Sequence, residues 1–207
     1  MISISLLAVF VPTFFFVSAT PGMCMTLSMI LGMTIGVRKT LWMMAGELAG
    51  VALVAIATLA GVAAIMLNFP SVFRLFQLLG GLYLGYLGLQ MWMSKGRMAI
   101  STESGFSEPK SGKVLMAQGF VTAVANPKGW AFFISLLPPF INAKNALLPQ
   151  AGVLISIMLL LEFMCLLMYA CGGKTFRHFL QKSGNVRMMN RIAGTLMVAV
   201  GVSLGIG

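Results

Sequence analysis

Three ionisable side chains, Glu47, Lys128 and Glu162, stand inside long apolar runs of the chain. A charge at the centre of a membrane span costs about 2.5–3.5 kcal/mol on insertion scales, so each needs a chemical reason to be there. One amine cannot fully neutralise two carboxyls. A carboxyl is left over to carry a proton or to meet a cargo, and Glu47 and Glu162 are the candidates for proton coupling. Lys128 follows Asn126-Pro127 directly, where it could reach a substrate carboxylate. The alternative is a buried Glu–Lys pair that only locks spans together.

A second set of residues interrupts the apolar runs without charge. Nothing charged occurs before Arg38, yet the stretch "ATPGM" at 19–23 places a proline and a glycine inside that run. Residues 125–129 read "ANPKG". Thr20-Pro21 and Asn126-Pro127 share one pattern, a helix-capping residue followed by proline at the first helical position. Each predicts a helix that stops and restarts at mid-membrane depth. A restarted helix offers free N–H groups and the positive end of its dipole, which suits an anion such as a carboxylate. Gln118, Thr122 and Asn126 fall at i, i+4 and i+8, one stripe leading to the second break. The candidate substrate-binding set is therefore Thr20, Pro21, Gly22, Gln118, Thr122, Asn126, Pro127 and Lys128. A proline kink used only for helix packing is the alternative.

The elements that must hold these residues are membrane helices. The chain has 207 residues, of which 59% are hydrophobic and only 9% charged. Its mean hydropathy is +0.97. Soluble domains carry roughly 25% charged residues, so no water-solvated surface can be built from this composition. Apolar stretches long enough to span recur along the whole length, which excludes a barrel and a single anchor. Basic and turn residues divide them into six spans, at about 3–37, 40–66, 72–93, 115–141, 147–172 and 189–207. All belong to a single membrane domain, 1–207, with a first repeat at about 1–93, a loop at 94–113 and a second repeat at about 114–207. The segment 174–191 reads equally as a basic surface helix or as a loop.

The net charge of +10 marks orientation rather than nucleic-acid binding, because no polar domain exists to carry nucleic acid. Arg38-Lys39 and the segments 94–113 and 174–191 hold 11 of the 14 basic residues, whereas Arg74 and Lys144 lie on the opposite side. The basic side is then cytoplasmic and both termini are outside. Spans 1–3 and 4–6 start from opposite sides, so the two halves form an inverted repeat in which the broken spans 1 and 4 correspond. Two broken helices at matched places of inverted halves point to a transporter binding site.

The remaining features fit the same frame. Tyr83, Tyr86 and Gln90 make a weaker polar stripe on span 3. Gly32/Gly36, Gly46/Gly50, Gly81/Gly85 and Gly201/Gly205 are small-xxx-small pairs for close helix packing. Cys24, Cys165 and Cys171 show neither disulfide nor zinc spacing, so no cofactor or resident metal is expected. Residues 1–20 carry no basic n-region, which argues against a cleaved signal peptide.

The motifs "SATPGMCMTLSMILGMTIGVRKT", "GELAG", "FQLLGGLYLGYLG" and "GFVTAVANPKGWAFFISLLPPFI", in this order and over essentially the whole length, resemble the LysE/RhtB family of bacterial amino-acid exporters. The resemblance implies a six-span inner-membrane exporter of amino acids or close derivatives. It also implies a proton-driven and dimeric protein, in contact with membrane lipids and not an enzyme. Family members often read Pro-Gly-Pro where this chain has Met23 after Gly22, which implies a softer break. Acidic residues in many relatives stand where Glu47 and Glu162 stand. Two rival readings stay open beside it. Met23, Cys24, Met25 and Glu47 could serve a soft metal cation as cargo. Cys24 could relay electrons as a thiol carrier, although span 4 offers no matching cysteine. A membrane scaffold that moves no solute is a third.

Overall fold

The computed structural model describes residues 4–68, 70–94, 111–137, 140–141, 145–181 and 183–206, and among them there is no strand. Eight α-helices follow in chain order: α1 (Ile4–Ala19), α2 (Met23–Thr34), α3 (Val37–Asn68), α4 (Pro70–Met93), α5 (Gly112–Val124), α6 (Pro127–Leu136), α7 (Leu147–Gln181) and α8 (Ser183–Ile206). Helices are what an apolar chain must form where no water can satisfy its backbone. Val37–Gly61 and Leu147–Gly173 are long and apolar enough to cross a membrane, with mean hydropathies of 1.9 and 2.5. Leu6–Ala19 and Met23–Thr34 meet the same criterion together, as one span bent by 58°. Leu75, Leu79, Leu82 and Leu89 on α4 are more than half exposed, a surface suited to hydrocarbon.

The segment 174–191 is helical on both sides of Lys182, which itself lies outside the described residues. Gly173, at φ 43° and ψ −128°, bends α7 where its apolar part ends, a left-handed φ that favours glycine. α8 begins at Ser183, so the stretch expected as the last span, from about 189, lies inside a longer helix. Most of the 94–113 loop also lies outside the described residues, as does Lys144.

The helix ends that flank the basic segments lie at one end of the bundle. A Cβ on Gly32, near the end of α2, would run into Ala170 just before the α7 bend. A Cβ on Gly112, at the start of α5, would meet the Trp42 ring near the start of α3. The Arg191 guanidinium sits 4.8 Å from the centroid of the Trp92 ring, joining the start of α8 to the end of α4 by a cation–π contact.

Two apolar cores lie along the bundle. One, toward the basic end, gathers Met29, Met43, Leu115, Leu166, Leu180 and Val186. The other gathers Phe10, Val54, Phe140, Leu154, Met197 and Val200. Glycines set the two closest helix crossings. α3 and α5 run side by side where Gly46 faces the Met116 carbonyl and Gly119 faces the Met43 carbonyl. α4 and α8 run antiparallel, Gly88 opposite Gly194 and Gly81 opposite Gly201. Gly36 departs from its expected packing role: it has open space around it and φ 83°, so it makes the turn between α2 and α3.

Candidate functional site

Between the two apolar cores the chain is interrupted twice. Sequence reasoning placed Thr20 as cap and Pro21 at the first helical position, but α2 begins at Met23 with Gly22 as its N-cap. The Thr20 hydroxyl instead donates to the Phe16 carbonyl at 2.8 Å, closing the last turn of α1. Backward bonding of this kind competes with capping the next helix. Gly22 has no side chain to cap with, so the first N–H groups of α2 receive no side-chain acceptor. At the second interruption α6 begins at Pro127, and the Asn126 carbonyl accepts from the N–H groups of Gly129 and Trp130 at 3.1 and 3.4 Å.

A helix that stops inside a membrane strands carbonyls, and two aromatic donors satisfy them here. The Tyr169 hydroxyl on α7 donates to Ala19 at the end of α1 at 2.7 Å. The Trp130 indole N–H donates to Val124 at the end of α5 at 2.8 Å. The sequence reading singled out neither of these two aromatics. Tyr169 is fully buried, so Tyr169→Phe leaves the Ala19 carbonyl without this donor. That is expected to lower stability by about 1–3 kcal/mol, read as a lowered midpoint of thermal unfolding in detergent.

The two interruptions border one cavity of about 70 Å³, several times the ~10–15 Å³ that a single water needs. Its polar wall comprises Ser18, Thr20, Cys24, Glu47, Asn126 and Glu162. Gly22 and Gly129, at the starts of α2 and α6, border it too, and half-exposed Met23 stands at its rim. The opposite wall is apolar, built on Phe14, Phe132 and Phe133, whose ring centroids lie 5.8–6.4 Å apart.

Glu47 from α3 and Glu162 from α7 meet in this cavity, near enough to feel each other's charge. Both are buried, Glu47 at 1% exposure and Glu162 at 9%. The Ser18 hydroxyl donates to Oε2 of Glu162 at 2.5 Å. Both oxygens of Glu47 lack a hydrogen-bond partner among the described residues. The Asn126 amide points its Nδ2 at the Cys24 sulfur, 3.9 Å away.

Of the residues singled out from the sequence, Thr20, Gly22, Asn126, Glu47 and Glu162 border the cavity. Pro21 is not part of its wall. Gln118 and Thr122 do not border it either: the Thr122 hydroxyl bonds back to the Gln118 carbonyl at 2.7 Å. The side chains of Pro127 and Lys128 lie outside the described residues. Ser18 and the phenylalanine wall are additions from the fold. The donors weighed for a soft metal, Met23, Cys24, Met25 and Glu47, also border the cavity. Among the described residues, however, no three His, Cys, Asp or Glu side chains are grouped to hold an ion.

Comparison with known proteins finds similarity over nearly the full length. The chain is 27% identical to a leucine efflux protein of Enterobacter over 192 residues, 92% of this chain and 90% of that one. It is 24% identical to an uncharacterized membrane protein of Vibrio cholerae over 187 residues, 90% of each chain. It is 22% identical to a homoserine/homoserine lactone efflux protein of Salmonella typhimurium over 187 residues, 90% of this chain and 89% of that one. No solved structure matches. The description "LysE type translocator" fits residues 15–207, which include both interruptions and both buried glutamates, and the chain therefore belongs to the LysE translocator family of membrane transport proteins, not enzymes.

Proposed function

We propose that this protein exports a small neutral amino acid, or a close derivative, across the bacterial inner membrane in exchange for protons. The observation that carries the reading is one cavity where two helix starts and two buried carboxyls meet, between two apolar cores. Relatives named for leucine and homoserine efflux support the cargo class. The phenylalanine wall favours a cargo with an apolar side chain. The cargo's carboxylate lies at the uncapped N-terminus of α2 and the start of α6, with Lys128 as its cationic partner. Protonation of Glu162, shared with Glu47, drives the change between inward- and outward-open states.

The spans form two inverted three-helix repeats. In that arrangement α1 with α2 corresponds to α5 with α6, α3 to α7, and α4 to α8. Antiparallel packing of α4 on α8 through facing glycines is what a pseudo-two-fold axis requires, and the two glutamates come from corresponding helices. The basic end is cytoplasmic, with both termini periplasmic. The protein works as a homodimer among lipids.

The test is the amino-acid content of the medium around cells expressing the parent, against Lys128→Ala at equal abundance. One or a few neutral amino acids are expected to accumulate with the parent alone, and a protonophore is expected to stop it. A medium unchanged by folded, membrane-resident parent protein sinks the reading. Metal efflux in its place would favour the soft-metal alternative.

A further inference from the structure

We propose that the Glu47–Glu162 pair is the seat of the cargo's ammonium group, and that cargo ammonium and incoming protons occupy these carboxyls in turn. The inference rests on the amino-acid export reading above and deepens it, from a proton pathway beside a substrate site to one shared site.

Glu47 is the observation that points to a ligand. Its carboxyl is shut off from solvent and borders the cavity, and neither oxygen has a hydrogen-bond partner among the described residues. A carboxyl desolvated in this way demands a donor, and the strongest is a positively charged one. A primary ammonium brings a compact charge and three N–H donors, enough to bridge carboxyls on two helices. The Ser18 hydroxyl fixes the Glu162 carboxyl from the α1 side, so that the pair presents a set geometry to whatever enters.

The rest of the cavity fits the remainder of a zwitterion. The N-terminus of α2 suits the carboxylate, and the wall of Phe14, Phe132 and Phe133 suits an apolar side chain. Coulomb repulsion between two facing carboxylates in a low-dielectric cavity is relieved by a proton or by an ammonium. One site cannot hold both. Exclusion of one by the other is then the coupling itself, and obligatory exchange needs no second proton path.

The surroundings of the pair are as follows. Cys24 comes from α2, Ser18 from the end of α1, Thr20 from the turn after it, and Cys165, three residues along α7 from Glu162, is near enough to feel its charge. On the α5–α6 side stand Ala123, Asn126 and Gly129, and the Lys128 side chain lies outside the described residues. Lowering the pH on the loading side fills the carboxyls with protons and so weakens cargo binding; raising it strengthens binding. If one proton is displaced per cargo, the apparent KM changes by about tenfold per pH unit within the titrating range.

The experiment uses the full chain in liposomes and reads initial rates of L-leucine transport against loading-side pH. Two competitors are added separately: 3-methylbutylamine, which lacks the carboxylate, and 2-hydroxy-4-methylpentanoate, which lacks the amine. The proposal expects KM to rise as pH falls while the rate at saturating leucine holds. It also expects the amine to compete and the hydroxy acid to do so at least tenfold less well than leucine. Glu162→Gln is expected to flatten the pH dependence of KM, and because the competition is measured on the parent, a misfolded variant does not block the test. Leucine transport with a pH-independent KM and equal competition by the hydroxy acid overturns this inference and leaves amino-acid export standing. Absence of transport for leucine, and then for a mixture of the twenty amino acids, overturns both.

Discussion

Glu47→Met is expected to make the protein more stable and to stop it transporting. The residue is fully buried, and its two oxygens have no hydrogen-bond partner among the described residues. An unsatisfied buried polar group costs about 1–3 kcal/mol, and an apolar side chain of similar length removes that cost. The midpoint of thermal unfolding should therefore rise. Transport should fall too, because the proposed exchange seats proton and cargo in turn on this carboxyl. Loss of one charge-assisted hydrogen bond, about 1.5–3 kcal/mol, corresponds to roughly 10- to 100-fold in apparent affinity. The proposed exchange also expects accumulation against a gradient to be lost altogether in this variant. Glu47→Gln keeps the shape without the charge and should lose transport to the same degree. Opposite signs for stability and activity are the mark of a functional group in a strained position. A variant less stable than the parent yet still transporting would show that Glu47 is a packing residue.

The largest structural effect is expected at Gly119. A Cβ there would run into the Met43 carbonyl and come within 2.9 Å of the Glu47 backbone nitrogen. These are backbone atoms of the helix that carries Glu47, so no side chain can swing aside. Overpacking a well-filled interface costs about 1–3 kcal/mol, and more where the backbone must move. Gly119→Val should therefore separate α3 from α5, drag Glu47 away from Glu162 and leave little folded protein in the membrane. Gly61→Ala is the control, since a Cβ on Gly61 meets nothing within 4 Å. It should leave abundance and unfolding midpoint unchanged or slightly raised, as alanine favours a helix over glycine by about 1 kcal/mol. Abundance in membranes and thermal unfolding of whatever is recovered read both variants. Equal behaviour of the two would contradict the close α3–α5 crossing.

How much of this was legible in the sequence depends on the length scale. The helical membrane setting and the two interruptions follow from local chemistry: apolar runs, proline without an N–H, and charge excluded from hydrocarbon. Glu47 and Glu162 stood out because their placement is expensive wherever the helices pack. Local grammar misled at Thr20. Its hydroxyl had two places to bond, forward onto the new helix or back onto Phe16, and only the bend between α1 and α2 selects the second. The stripe Gln118–Thr122–Asn126 holds as helical periodicity only for its first two residues, because α5 ends at Val124 and Asn126 lies in the interruption. Only Asn126 reaches the cavity, because it leaves the helix at the interruption.

The sequence by itself determined that the chain is a helical membrane protein with broken helices and buried carboxyls, since desolvation acts on each residue regardless of its neighbours. Tertiary structure alone decided that Glu47 and Glu162, 115 positions apart, face each other. It alone supplied Ser18 to Glu162, Tyr169 to Ala19 and the phenylalanine wall to the cavity. Such pairings depend on which helix faces touch, and that is set by glycine crossings summed over the whole bundle, not by any single stretch of chain.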